Sequence, residues 1–126
     1  MADLSKMTCI EDLRQVAECR VPRMFYDYAD SGSWTEGTYR ANESDFHAIQ
    51  FRQRVAVNME GRSTATTMVG QQTSMPVCIA PVGLTGMQHA DGEIHAARAA
   101  EKFGIPFTLS TMSICSIEDI AEHTSA

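Results

Sequence analysis

No stretch of this chain is apolar over the roughly twenty residues needed to span a bilayer. The N-terminus, Met1-Ala2-Asp3-Leu4-Ser5-Lys6, lacks a basic region followed by an apolar core, so no secretory leader is expected. Positive charge is scarce as well: 10 Lys and Arg stand against 16 Asp and Glu, for a net charge of −6. That balance disfavours a nucleic-acid partner, which requires clustered Lys and Arg. The cysteines, Cys9, Cys19, Cys78 and Cys115, form no C-x-x-C pair. A disulfide framework is not expected; reduced thiols, buried or incidental, fit a cytoplasmic compartment. No G-x-G-x-x-G or Walker-type glycine loop follows an apolar run, which counts against the common nucleotide-binding open sheets. His89 and His95 are six residues apart rather than four, so no helical metal pair is expected, and none of His47, His89, His95 and His123 is read as functional.

What is present suits a globular protein: 126 residues, 44% of them hydrophobic. Thr8-Cys9-Ile10-Glu11 predicts a capping box, with Leu13, Val16 and Ala17 on one face of the helix that follows. Val21-Pro22 interrupts that helix, and Pro22 can open a new one carrying Met24, Phe25 and Tyr28 on one side. Ser33-Trp34-Thr35-Glu36 predicts a second capping box and a helix towards His47. Residues 54–58 and Thr66–Val69 are predicted as short strands, with a turn at Gly70-Gln71-Gln72. Glu11, Asp27, Asp30 and Glu36 are read as cap and surface carboxylates.

The remainder alternates. Met75–Pro81 and Ile105–Ser110 are apolar runs, each followed by a helix: residues 91–103, stopped by Gly104, and 116–123, with Asp119 completing a cap at Ser116. Unbroken apolar runs suit strands covered on both faces, and alternation with helices predicts an α/β fold with parallel strands and right-handed crossovers. Two such strands cannot close a barrel or bury their own edges. The expected organisation is a helical segment over 1–72 and two βα units over 73–126. In such folds ligands bind at the C-terminal strand ends. Those ends are Ala80–Gly86, whose glycines let the backbone approach a flat ligand, and Ser110–Ser113. Taken from the residues alone, both segments also read as plain βα loops, and Tyr28 as one member of an apolar helical face. Cys115 is read as a packing residue at a helix start.

Tyr26-Asp27-Tyr28 with Ser31-Gly32-Ser33, Phe51-Arg52-Gln53-Arg54, Ser74-Met75-Pro76, Ala80-Pro81-Val82-Gly83 and Leu109-Ser110-Thr111 occur in an order that resembles the FMN-dependent α-hydroxy-acid dehydrogenase family, of the L-lactate dehydrogenase and glycolate oxidase type. The resemblance runs from about Thr8 to about His123. It implies a TIM (β/α) barrel, of roughly 250 residues before extensions, of which this chain supplies the N-terminal helical extension and the first two βα units. It implies oxidation of an L-2-hydroxy acid to the 2-keto acid by FMN, with oxygen, a quinone or a cytochrome as electron acceptor, in a homo-oligomer. It also admits a peripheral position on the inner face of the membrane. By the same resemblance Tyr28 binds the substrate carboxylate, Pro81, Val82 and Gly83 face the flavin, Ser110 binds FMN, and Met112 lines the substrate pocket. Val82 stands where several members have Thr, so a hydroxyl contact is missing there. A thioether at Met112 leaves room for a methyl-bearing acid, which favours lactate over glycolate. The family's proton-abstracting histidine, substrate-binding arginines and flavin-side lysine are expected in later barrel units, so this piece alone is expected to be inactive. Two alternatives stay open: another FMN- or phosphate-binding barrel enzyme, and a non-catalytic fragment.

Overall fold

Helices dominate the computed structural model, which describes residues 4–126 as two units, one ending at Glu60 and the other spanning Gly61–Ala126. In the first, α1 (Ile10–Arg20), α2 (Arg23–Asp30) and α3 (Gly37–Ser44) are followed by a 3-10 turn at Asp45–Ala48. The start of α1 differs from expectation by one residue. Cys9 is the N-cap and Asp12 the reaching carboxylate, whose Oδ2 accepts from the Thr8 and Cys9 N–H groups at 2.7 and 3.3 Å. The shorter Asp side chain reaches these donors from the third helical position, and the Thr8 hydroxyl joins them at 3.0 Å. The expected box at Ser33 does not form. Glu36 itself precedes α3 in a left-handed conformation, and its Oε1 accepts from the Gly32 N–H at 3.1 Å. Residues 54–58 form no strand.

α1 packs on α2, and an ion pair joins them. The Arg14 guanidinium grips Asp30 with both arms, Nε to Oδ1 at 2.7 Å and Nη2 to Oδ2 at 3.0 Å, and reaches the Tyr39 hydroxyl at 3.3 Å. Among the described residues of this unit none is buried.

The second unit opens with an antiparallel hairpin of β1 (Thr66–Met68) and β2 (Gln71–Thr73). Gln71 and Gln72 are therefore in a strand, and the turn tightens to Val69-Gly70, where Gly70 takes φ 79°. Then come α4 (Thr85–Gln88), α5 (Gly92–Phe103) and α6 (Ile117–His123). The two apolar runs meet in parallel, as expected, but as one bridge between Ile79 and Phe107. Ile79 N–H donates to the Pro106 carbonyl at 3.0 Å and its carbonyl accepts from Thr108 N–H at 3.1 Å. Pro76, Pro81 and Pro106 punctuate both runs and remove ladder donors, which keeps the pairing short. Gly104 ends α5 at φ 63°, the left-handed stop predicted for it. Ser116 and Asp119 form the predicted capping box of α6. The core is small: Ile94, Ala97, Ala100 and Cys115. Cys78, expected inside a covered strand, is exposed.

Candidate functional site

The residues singled out above fall in both units. Tyr28 lies on α2 and is 62% exposed. In the second unit the ends of the two apolar runs come together. The Leu84 N–H donates to the Met112 carbonyl at 2.9 Å, which ties one strand-end loop to the other. Ser110 Oγ accepts from the Met112 N–H at 3.1 Å and folds the second loop back on itself. The approach is close enough to demand glycine. A Cβ on Gly86 would stand 2.7 Å from the Ile114 Cβ, nearer than side chains come, and one on Gly83 would stand 3.3 Å from the Met112 Cβ. Leu84 sits between these glycines at φ 57°, a conformation that non-glycine residues rarely adopt. It is held there by its bond to Met112 and by the Thr85 hydroxyl, which donates to the Val82 carbonyl at 3.1 Å.

Gly83, Ser110 and Met112 are thus neighbours. Val82 and Ser110 line a cavity of about 100 Å³ with Ile79, Thr85, Glu93 and Phe107. Val82 and Pro81, which precedes it, are both exposed. Among the described residues, the Val82 and Gly83 N–H groups meet no acceptor. Backbone donors on a strip with no side chain at Gly83 suit the ring nitrogens and carbonyl oxygens of a flat heteroaromatic ligand.

Two residues escaped the sequence reading. Glu93 is only 2% exposed. Its Oε1 accepts from two loops at once, Gly86 N–H at 3.1 Å and Ile114 N–H at 3.0 Å. Its Oε2 has no partner among the described residues. Burial opposes the charge, but the amides of Ile114 and Gly86 help outweigh it and hold the carboxyl below its ordinary value. The neighbouring Cys115 thiol is pushed up by burial and then by Glu93. A signal was there: Glu93, Ala97 and Ala100 are spaced by four and three, so an acid stands in line with two core alanines. The second is Tyr26, whose phenol shares the Arg14–Asp30 pair and is pushed up, chiefly by partial burial. Arg14 in turn holds the Asp30 carboxyl below its usual range.

Three of the histidines make local contacts. His89 and His95 meet edge to face at 5.4 Å, and the ring Nδ1 atoms of His89 and His123 lie within hydrogen-bond distance of the Ala90 and Asp119 carbonyls. The described residues contain no metal-binding cluster of His, Cys, Asp and Glu, and no helix long and apolar enough to cross a membrane.

Parallel strand ends with glycine-rich loops and free backbone donors define the ligand-binding end of an α/β protein. Residues 17–126 match the FMN-dependent dehydrogenases, and the chain belongs to that family. It is 49% identical over 115 residues to an L-lactate dehydrogenase of Xanthomonas campestris pv. campestris (strain B100), covering 91% of this chain and 30% of that protein. Among solved structures it resembles a soluble mutant of the membrane-associated (S)-mandelate dehydrogenase of Pseudomonas putida, with TM-score 0.86 and 39% identity over 93% of this chain and 34% of that one. A further neighbour is the monotopic membrane protein (S)-mandelate dehydrogenase, with TM-score 0.88 and 37% identity over 96% of this chain and 32% of that one. The chain therefore spans about a third of the length of the relatives it matches.

Proposed function

We propose that this chain is the N-terminal part of a TIM-barrel oxidoreductase that uses FMN to oxidise an L-2-hydroxy acid to the 2-keto acid, L-lactate before glycolate. The observation that carries the reading is the close pairing of the two strand-end loops, Gly83 against Met112, in a chain of this family. Bound FMN supplies the two-electron redox chemistry, and the protein supplies position and electrostatics. The Val82 and Gly83 N–H groups donate to the flavin edge, and Pro81 stiffens the strip that presents them. The oxygen of Ser110 is engaged with the Met112 N–H, which leaves its O–H to donate to the cofactor. Tyr28, with its hydroxyl free of any described partner, donates to the substrate carboxylate. The Met112 thioether, 60% exposed and flexible, borders the substrate and leaves space for a methyl group. Relatives named L-lactate dehydrogenase support that choice of acid. The monotopic relative supports a peripheral position on a membrane, and we place it on the inner face.

The test is anaerobic mixing of the full-length flavoprotein with each acid. L-Lactate is expected to bleach the yellow flavin band fastest and glycolate more slowly. Bleaching by mandelate alone would replace the substrate, and no bleaching by any of the three would overturn the function.

A further inference from the structure

We infer that Glu93 is a positioning residue for the flavin-facing loops: one carboxylate oxygen clamps both strand ends at a fixed separation. The inference rests on the proposed function for what the loops hold, but the clamp itself is a matter of geometry. Oε1 accepts from Gly86 at 3.1 Å and from Ile114 at 3.0 Å, so the two loops share a single atom. Gly86 and Ile114 also touch where a Cβ on Gly86 would be only 2.7 Å from Ile114. Two residues before Ile114 stands Met112, and its carbonyl accepts from Leu84, two residues before Gly86. Together, the carboxylate and the Leu84–Met112 bond form two parallel ties between the same loops. The second lies beside Gly83, and the first lies deeper, on the rigid helix α5.

The helix matters to the clamp. Glu93 is the second residue of α5, whose buried stripe of Ile94, Ala97 and Ala100 anchors it in the core. A carboxylate fixed at its root by core packing cannot follow a loop that drifts. The loops are therefore referenced to the core rather than to one another alone. A negative charge also suits the helix N-terminal turn, where unpaired N–H groups concentrate positive potential. Hydrogen bonds to a charged acceptor are roughly twice as strong as neutral ones, which explains a carboxylate where an amide would also reach.

Three substitutions in the full-length protein separate clamp from charge. Glu93→Gln keeps an oxygen at the same reach without the charge. Glu93→Asp keeps the charge but retracts it by one methylene. Glu93→Ala removes both. FMN dissociation constants of the apoprotein, read by flavin fluorescence, are expected to rise about tenfold or more for Asp and Ala, and to stay within a fewfold for Gln. Hydrogen exchange at the Gly86 and Ile114 amides, which needs no flavin, is expected to accelerate strongly in Asp and Ala and only about a fewfold in Gln, whose neutral oxygen still reaches both amides. If Asp behaves as wild type and Gln as Ala, the charge and not the clamp is what matters, and the inference is overturned. Unchanged exchange in Ala overturns it as well. Should Ala fail to fold, the Gln and Asp pair still decides. If wild-type protein binds no FMN, the proposed function falls, while the exchange rates still judge the clamp.

Discussion

The two units hold themselves together by different means. The second unit has a core: Ile94, Ala97 and Ala100 line α5, Cys115 joins them, and the acid among them has two amide partners. In the first unit no described residue is buried, and α1 is fastened to α2 by an Arg14–Asp30 pair whose side chains are 43% and 27% exposed. The difference matters for function. A flat cofactor needs loops fixed to within a fraction of an ångström, and a core-anchored helix supplies that. A tyrosine with the role proposed for Tyr28 needs only to be presented. Large apolar groups on the first unit, Trp34 at 95% and Phe51 at 97% exposure, leave surface that other segments of a longer protein can cover.

The sharpest way to break the comparison is to place the same charge in each unit. In the full-length protein, Ala97→Asp buries an unpaired carboxylate at a site with 0% exposure and is expected to cost about 3 kcal/mol or more. Ala29→Asp, exposed near the end of α2, is expected to cost only about 1 kcal/mol, from lost helix propensity and the helix dipole. Equal shifts in denaturation midpoint would show that α5 does not anchor the second unit.

Acid sharpens it next. Glu93 is held below its ordinary value of 4.5, so it binds its proton more readily in the unfolded chain than in the folded one. Its contribution is fully present above the ordinary value and is lost as pH falls through the lowered one. Other titratable groups around Ile114 and Cys115 are Asp91, His95, Asp119 and His123. Glu93→Gln is expected to flatten the acid limb of stability measured between pH 6 and 3 (roughly the range in which carboxylates titrate). An acid limb as steep as in wild type would contradict a depressed Glu93.

Salt gives the smallest effect. Asp30 is also held low, by Arg14, but at the surface, where molar salt shortens the screening length to about 3 Å. Asp30→Asn is expected to lower the melting temperature slightly at low salt and not at all in molar salt. The Glu93→Asp deficit is expected to persist in both. A salt-independent Asp30→Asn effect would mean that the first unit is not held by exposed charge.

Legibility in the sequence follows the same divide. The stop of α5 at Gly104 and the cap of α6 at Ser116 were readable because both are local: a glycine at the left-handed position, a hydroxyl and a carboxylate three residues apart. The parallel approach of the two apolar runs was readable from their pattern, although three prolines shorten it to one bridge. Local signals with several solutions were misread. Thr8 and Ser33 each offered a plausible cap, yet Asp12 and Glu36 found nearer backbone donors one or more positions away. The expected strand at 54–58 has β-branched residues but no partner strand, and propensity without pairing does not make a strand. Glu93 was hidden for a different reason. An acid at a helix start is usually a dipole or cap residue, and its two acceptor bonds span 7 and 21 residues in sequence. Ser110 and Met112 fell in a candidate loop by the strand-end rule, but their separate roles came only from the resemblance to the family, and the structure brings both beside Gly83.

The most direct test of the division of labour is Tyr28→Phe in the full-length protein, with flavin content and kcat/KM for L-lactate measured on one sample. Loss of a hydrogen bond to a charged carboxylate is worth about 1.5–3 kcal/mol. The expected result is full FMN occupancy with kcat/KM reduced about ten- to a hundredfold. Unaltered kinetics, or a loss of flavin that accounts for the loss of activity, would contradict the assignment of the substrate carboxylate to Tyr28 in the first unit and of the cofactor to the second.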